Sequence, residues 1–208
     1  MKKNKIILLL GVVFSFYFFN YEKNPPKLGA EIIWWKGNIY TITKGEYKEG
    51  KKLAKGDGFS LFSAGDPTET FIVYRSFLDN ALYVREDFKI PTEGRITKLS
   101  WGYKIFTDKN LCDTISKILE ESKNLEINRY ESEDPLFRLK PGLMMRNLYV
   151  AYVGTYVPTE FKGMIGVLNG KWAITTNIEY EVKDKSLYRI SYILIPEKYT
   201  SILKKYFI

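Results

Sequence analysis

The chain has 208 residues, with 32 basic and 24 acidic side chains, one cysteine and no histidine, for a net charge of +8. Without histidine there are no Ser-His or Cys-His nucleophilic pairs, no His-ligated metals and no use of the commonest general base. A lone Cys112 excludes an intramolecular disulfide and any Cys-based zinc site.

Lys2-Lys3-Asn4-Lys5 is followed by Ile6 to Phe19, a run without charge broken only by Gly11, Ser15 and Tyr17. A lysine-rich tip before an apolar run favours a cytoplasmic N-terminus and an outward-facing remainder. A cleaved secretory signal would end in small residues of the A-x-A type. Here the run exits through Phe16-Tyr17-Phe18-Phe19-Asn20-Tyr21, and no Cys lies near its end for lipoprotein processing. A helix from Ile6 to Tyr21 would rise roughly 24 Å against a hydrocarbon core of ~30 Å. Local thinning, a snorkelling Lys5 and an outer belt of Phe and Tyr accommodate that mismatch. The expectation is an uncleaved signal-anchor over residues 1–21, contacting the membrane through residues 6–21. Secretion after signal cleavage is one alternative, and a buried segment of a cytosolic protein is another.

Residues 22–30, with Asn24-Pro25-Pro26, read as a stiff polar linker. A small all-β module is expected over residues 31–90. Glu31–Lys36 and Ile39–Thr43 are β-branched and aromatic runs joined by Gly37-Asn38, a strand–turn–strand signal. A polar stretch over 44–52 follows, then a strand at Phe59–Phe62, a turn at Gly65-Asp66-Pro67, and strands at Thr70–Arg75 and Ala81–Arg85.

Gly37-Asn38-Ile39-Tyr40, Gly65-Asp66-Pro67-Thr68 and Asn80-Ala81-Leu82-Tyr83-Val84 give residues 32–86 a likeness. They resemble a small Gly-x-x-Tyr β module of exported proteins from low-GC Gram-positive bacteria. The resemblance implies an extracytoplasmic address and no particular reaction. Leu82, where a small aliphatic residue is usual, and the Trp34-Trp35 pair depart from its pattern.

Residues 91–208 are expected to form an α+β domain. Arg95–Trp101 reads as a strand. Thr107 or Asp108 caps a helix to about Lys123, with Leu111, Ile115, Ile118 and Leu119 on one face. Tyr130–Gly142, acidic and carrying Pro135 and Pro141, reads as a loop. Leu148–Val157 reads as a strand, and Met164–Leu168 with Lys171–Thr176 as a hairpin through Asn169-Gly170. Ile178–Val182 and Leu187–Ile195 make a second hairpin. Pro196 opens a last helix, with Tyr199, Ile202, Leu203 and Tyr206 on one face. The fold class is therefore α+β: an N-terminal membrane helix, a small β module, then an antiparallel sheet with one packed helix and a C-terminal helix.

Candidate chemistry is sparse. Cys112 lies beside Asp108 and Asp113, and carboxylates and burial both raise a thiol pKa, so core packing is its expected role. Glu120-Glu121 and Glu131, Glu133 and Asp134 lack the ordered oxygen spacing and tight Gly of a calcium loop. Gly56-Asp57-Gly58 lacks the context of a phosphate loop. Tyr152 and Tyr156 have the Tyr-x-x-x-Tyr spacing of haem-scavenging surface domains. Tyr188 and Tyr192 repeat it in a chain of 16 tyrosines, so spacing alone selects nothing. Trp34, Trp35 and Trp101, with Tyr152 and Tyr156, form a candidate partner surface, against the alternative that they are core.

These readings lead to a membrane-anchored extracytoplasmic protein of a Gram-positive envelope, acting as a binding or interaction module. No enzyme activity, cofactor or metal is expected, and no nucleic acid. The partner would be an anionic envelope polymer or a protein, although the scattered lysines are better explained by an A/T-rich coding composition. The alternatives are an immunity or stress protein acting at the membrane, and a carboxylate-based envelope hydrolase.

Overall fold

The computed structural model describes residues 26–29, 31–132, 144–168, 170–182 and 186–207. The expected signal-anchor lies outside the described residues. Among the described residues no helix is long and apolar enough to cross a membrane. The chain is mostly β, with two sheets, one packed helix and a C-terminal helix. It divides into two compact units, one comprising the residues up to Thr43 with Glu49–Lys89, the other Lys44–Lys48 with Ile90–Ile208.

The first unit is one antiparallel sheet built from β1 (Lys27–Leu28), β2 (Ile32–Trp35), β3 (Asn38–Thr43), β4 (Lys52–Lys55), β5 (Phe59–Ser63), β6 (Phe71–Ser76) and β7 (Asn80–Arg85). Its strand order is β1-β2-β3-β7-β6-β5-β4. Strand alternation sends Ile33 and Trp35 inward and leaves Trp34 outward. Ile33, Trp35, Tyr40, Ala54, Phe59, Leu61, Ile72 and Tyr83 form one buried cluster spanning β2 to β7. This unit holds no helix among its described residues, so its buried cluster is built from strand side chains of the one sheet.

Three expectations need correcting here. Lys27–Leu28, read as linker, pairs with Ile33 and Trp34 as an edge strand. The polar stretch over 44–52 runs into β4, whose Leu53 and Ala54 carry enough apolar surface to pair with β5. The first hairpin turns at Lys36-Gly37, one residue earlier than Gly37-Asn38, with φ of 51° and 75°. Two positive φ values give the I′ twist that matches flanking strands. Lys36 is held there by an ion pair with Glu69 at 2.9 Å and by its ammonium lying 4.4 Å from the Trp35 ring centroid.

The second unit has β8 (Ile96–Trp101), β9 (Lys104–Phe106), α1 (Lys109–Ser122), β10 (Asn128–Ser132), β11 (Met144–Tyr152), β12 (Glu160–Leu168), β13 (Lys171–Val182), β14 (Ser186–Leu194), a 3-10 turn (Glu197–Tyr199) and α2 (Thr200–Phe207). The sheet order is β10-β14-β13-β12-β11-β8-β9, antiparallel throughout. Asp108 caps α1 by accepting a hydrogen bond from the Leu111 N–H at 3.0 Å. Leu111, Ile115 and Ile118 are buried against Ile96, Leu99, Leu148, Ile165 and Ile193, and Leu119 is partly buried. Both helices lie on this one face of the sheet.

Phe207 of α2 ties the layers together. Its ring stacks on Trp101 at 4.6 Å and meets Phe106 edge-on at 5.6 Å. The Trp101 indole N–H donates to the Ile165 carbonyl at 2.8 Å. Glu121 on α1 accepts hydrogen bonds from Lys198 and from the Tyr199 hydroxyl, both at 2.7 Å, joining the helical segments. Those bonds hold the Glu121 carboxyl below its ordinary pKa.

Several boundaries differ from expectation. Tyr130–Ser132, read as loop, belongs to β10 and pairs with Tyr188–Ile190 of β14, because an edge strand tolerates acidic side chains. Glu133, Asp134 and the rest of that acidic loop lie outside the described residues. The strand expected over 148–157 covers Met144–Tyr152, with Gly154 at φ 95° turning the chain afterwards. β9 is an addition, made possible by Gly102 at φ 60°. The last helix begins as a 3-10 turn, and Tyr199, Leu203 and Phe207 form its buried line.

Gly163 sits where the ladders shift register, at φ 104°, with the Met164 N–H donating to the Thr175 hydroxyl at 2.8 Å. A Cβ there would run into the Thr175 carbonyl oxygen, whereas one on Gly170, at φ 78°, would meet nothing. Gly170→Ala is expected to cost about 1 kcal/mol from its left-handed backbone alone. Gly163→Ala should add about 1–3 kcal/mol of overpacking. Urea unfolding of both variants checks this, and equal losses would show that the bulge relaxes around a methyl group.

Candidate functional site

The five residues singled out from the sequence separate by burial. Trp34 is 42% exposed, and its ring lies over Gly29 beside Lys27, Leu28, Lys36 and Asn38, which line a shallow depression of about 750 Å³. Trp35 is buried in the first core, its ring 6.1 Å from that of Tyr40. Trp101 is buried in the second core. A shared exposed platform of Trp34, Trp35 and Trp101 is thus corrected: alternation and the helix-side core remove two of the three from the surface.

The tyrosine pair is corrected as well. β11 ends at Tyr152, so Tyr152 and Tyr156 do not share a strand face. Tyr152 is buried in the helix-side core beneath the Lys162 ammonium. Tyr156 stays exposed, with Lys98 lying 5.4 Å from its ring centroid and donating to its carbonyl at 2.8 Å. The arrangement is not one that presents two phenols to an iron.

Among the described residues the most exposed large hydrophobic side chains, Phe77, Tyr103 and Leu78, were not anticipated. Phe77 and Leu78, in the β6–β7 turn, are 98% and 89% exposed. The turn is closed by its own hydrogen bonds. Ser76 N–H donates to the Asp79 carbonyl at 2.8 Å, and the Ser76 hydroxyl accepts from the N–H groups of Leu78 and Asp79 at 3.3 and 3.1 Å. Asp79 also accepts from the Asn80 N–H at 2.7 Å. With the backbone satisfied inside the turn, both side chains project outward in a preformed knob. Burying both against a partner would contribute on the order of 3–6 kcal/mol. The signal in the sequence is two large apolar residues between the turn-forming Ser76 and Asp79. In the second unit Tyr103, in the β8–β9 turn, is similarly exposed.

An open cleft of about 690 Å³ in the second unit is lined by Glu93, Ser116, Lys117, Glu120, Lys123, Tyr152 and Lys162. Two of its three lysines are matched locally. Lys123 pairs with Glu120 at 2.7 Å, and Lys162 with Glu160 at 3.2 Å. Burial, which pulls the Lys162 pKa down, is outweighed by its bonds to Tyr152 and Glu160, so the net shift is upward and the ammonium stays charged. A lysine so held is no base or nucleophile.

Among the described residues Glu46 is the carboxyl that burial raises above its ordinary value. One such group supplies half of the acid–base pair that glycoside hydrolysis takes. Among the described residues no three His, Cys, Asp or Glu side chains group to hold a metal ion. Cys112 is buried, and burial followed by the Asp113 and Asp108 charges pushes its thiol from 9.0 up to about 11. No protein-family model, curated protein or solved structure matches the chain. The resemblance over residues 32–86 rests on its own turn and strand residues.

The raised thiol has a pH consequence. A group whose pKa is higher in the fold than in the unfolded chain contributes its stability below the unfolded value and loses it as pH rises. Burial also pushes Tyr40 up to about 12, which acts in the same direction. Stability should therefore fall as pH climbs from about 9 toward 11, and Cys112 should resist iodoacetamide at pH 8 until urea unfolds the chain. Prompt alkylation of the folded protein would contradict the burial.

Proposed function

We propose that this chain is a membrane-anchored extracytoplasmic interaction module, held by residues 6–21 and presenting its β units outside the cell. The observation that carries the interaction reading is the preformed Phe77–Leu78 knob. A turn that satisfies its own backbone has no structural need for two large apolar side chains in water. Leaving them exposed invites aggregation and gains nothing for the fold, which makes a partner's apolar socket their natural destination. The lysine tip and apolar run of the N-terminus support the address.

The partner this knob fits is a protein with an apolar recess of two-side-chain size, in preference to an anionic polymer, because the tip itself brings no cation. A photocrosslinking amino acid placed at Phe77 in intact cells should give a discrete protein adduct. The same group at Lys55, exposed on β4, should give none. Identical patterns at both positions, or no adduct at position 77, would contradict the proposal.

A further inference from the structure

The strand register of the first unit places the Trp34–Leu28 edge and the Phe77–Leu78 turn at opposite ends of the sheet. β3 pairs with β7 from Tyr40↔Arg85 to Thr43↔Leu82, so the Phe77–Leu78 turn, which precedes β7, lies beyond the Thr43 end. The Lys36-Gly37 turn lies beyond the Asn38 end, and Lys27 pairs with Trp34 beside it. Six residues of β3, at ~3.4 Å each, put roughly 17–20 Å between the two ends.

At the Lys27 end the exposed side chains have a particular chemistry. Trp34 and Leu28 lie half out of the protein, with Lys27 and Lys36 beside them around the depression. The Trp34 ring lies close over Gly29, which leaves no room there for a side chain. An amphipathic indole beside an aliphatic side chain, the Lys27 ammonium and the Glu69-paired Lys36 is a composition that settles at a headgroup layer, where rings sit at the interface and an ammonium group meets lipid phosphate. The chain itself brings such a layer close. Only five residues separate Tyr21, the end of the apolar-aromatic run, from Lys27, and fully extended chain spans at most ~3.6 Å per residue. Lys27 therefore lies within about 22 Å of that end.

We propose that Trp34, Leu28, Lys27 and Lys36 form a docking edge that rests on the anionic headgroup layer of the bilayer and fixes the first unit with its Phe77–Leu78 turn facing away. This rests on the reading of residues 6–21 as an anchor. Lipid is the occupant because the anchor holds the edge at lipid and because Lys27 brings that edge a cation for a phosphate layer, the Lys36 charge being shared with Glu69 at 2.9 Å. A tethered edge needs little affinity of its own, since attachment supplies a high effective concentration.

The test uses the full chain in nanodiscs of phosphatidylcholine with phosphatidylglycerol, containing headgroup spin-labelled lipid. A fluorophore is attached at Lys27→Cys, at Trp34→Cys or at Leu78→Cys, with the buried Cys112 left in place and the unsubstituted chain as labelling blank. Probes at positions 27 and 34 should be quenched at least three-fold more than the probe at 78, and replacing phosphatidylglycerol by phosphatidylcholine should at least halve that difference. The Lys27 probe keeps the test valid where Trp34→Cys disturbs folding. Equal quenching at both ends, or stronger quenching at 78, overturns the docking edge while leaving the anchor intact. A chain that elutes apart from the discs overturns the anchor and the docking edge together, so the two failures are distinguishable by co-elution alone.

Discussion

An antiparallel sheet has two faces, and at least one of them must be taken out of water. That constraint organises both units, which meet it by different means. In the second unit α1 and α2 cover the sheet, and Phe207 closes the layer by stacking on Trp101 while Trp101 donates to Ile165. In the first unit no helix is present among the described residues, and Ile33, Trp35, Leu61, Ile72 and Tyr83 gather in one cluster of strand side chains. The turns and the edge strand lie outside that cluster. The knob at Phe77–Leu78 is such a turn, and the Trp34 edge is such a strand.

The same constraint explains what was legible in the sequence. Alternation and helical periodicity report burial, so α1, with Leu111, Ile115 and Ile118 on one face, could be read from spacing. The β12–β13 hairpin around Gly170 was legible for the same reason, with Leu168 pairing to Lys171. Elements whose pairing is a matter of backbone and neighbour left little trace. β1 is two residues on an edge, β9 is three residues after Gly102, and β10 is an acidic segment stitched to β14. The fold determines these through ladders whose partners are distant in the chain, and no local pattern encodes them.

Aromatic residues posed the harder problem. Tryptophan and tyrosine serve a core and a contact surface equally well, and adjacent strand positions differ only in which face they take. Trp34 and Trp35 are neighbours with opposite fates because β2 alternates. Tyr152 and Tyr156 part because the chain turns at Gly154. Phe77 and Leu78 escaped notice because turns are read for polar residues, and Ser76 and Asp79 complete that signature around them. Their exposure becomes visible only once the Ser76–Asp79 hydrogen bonds show the turn to be closed without them.

The proposed extracytoplasmic module, with an edge toward lipid and a turn toward a partner, requires the β units to lie outside the cell. That address is tested most directly by cysteine accessibility. A Leu78→Cys chain is treated in intact cells with a membrane-impermeant maleimide, Cys112 being too buried to react. The account predicts labelling at position 78 without lysis and none of the unsubstituted chain. Labelling that appears only after the membrane is broken would place the β units inside, and would contradict the account at its foundation.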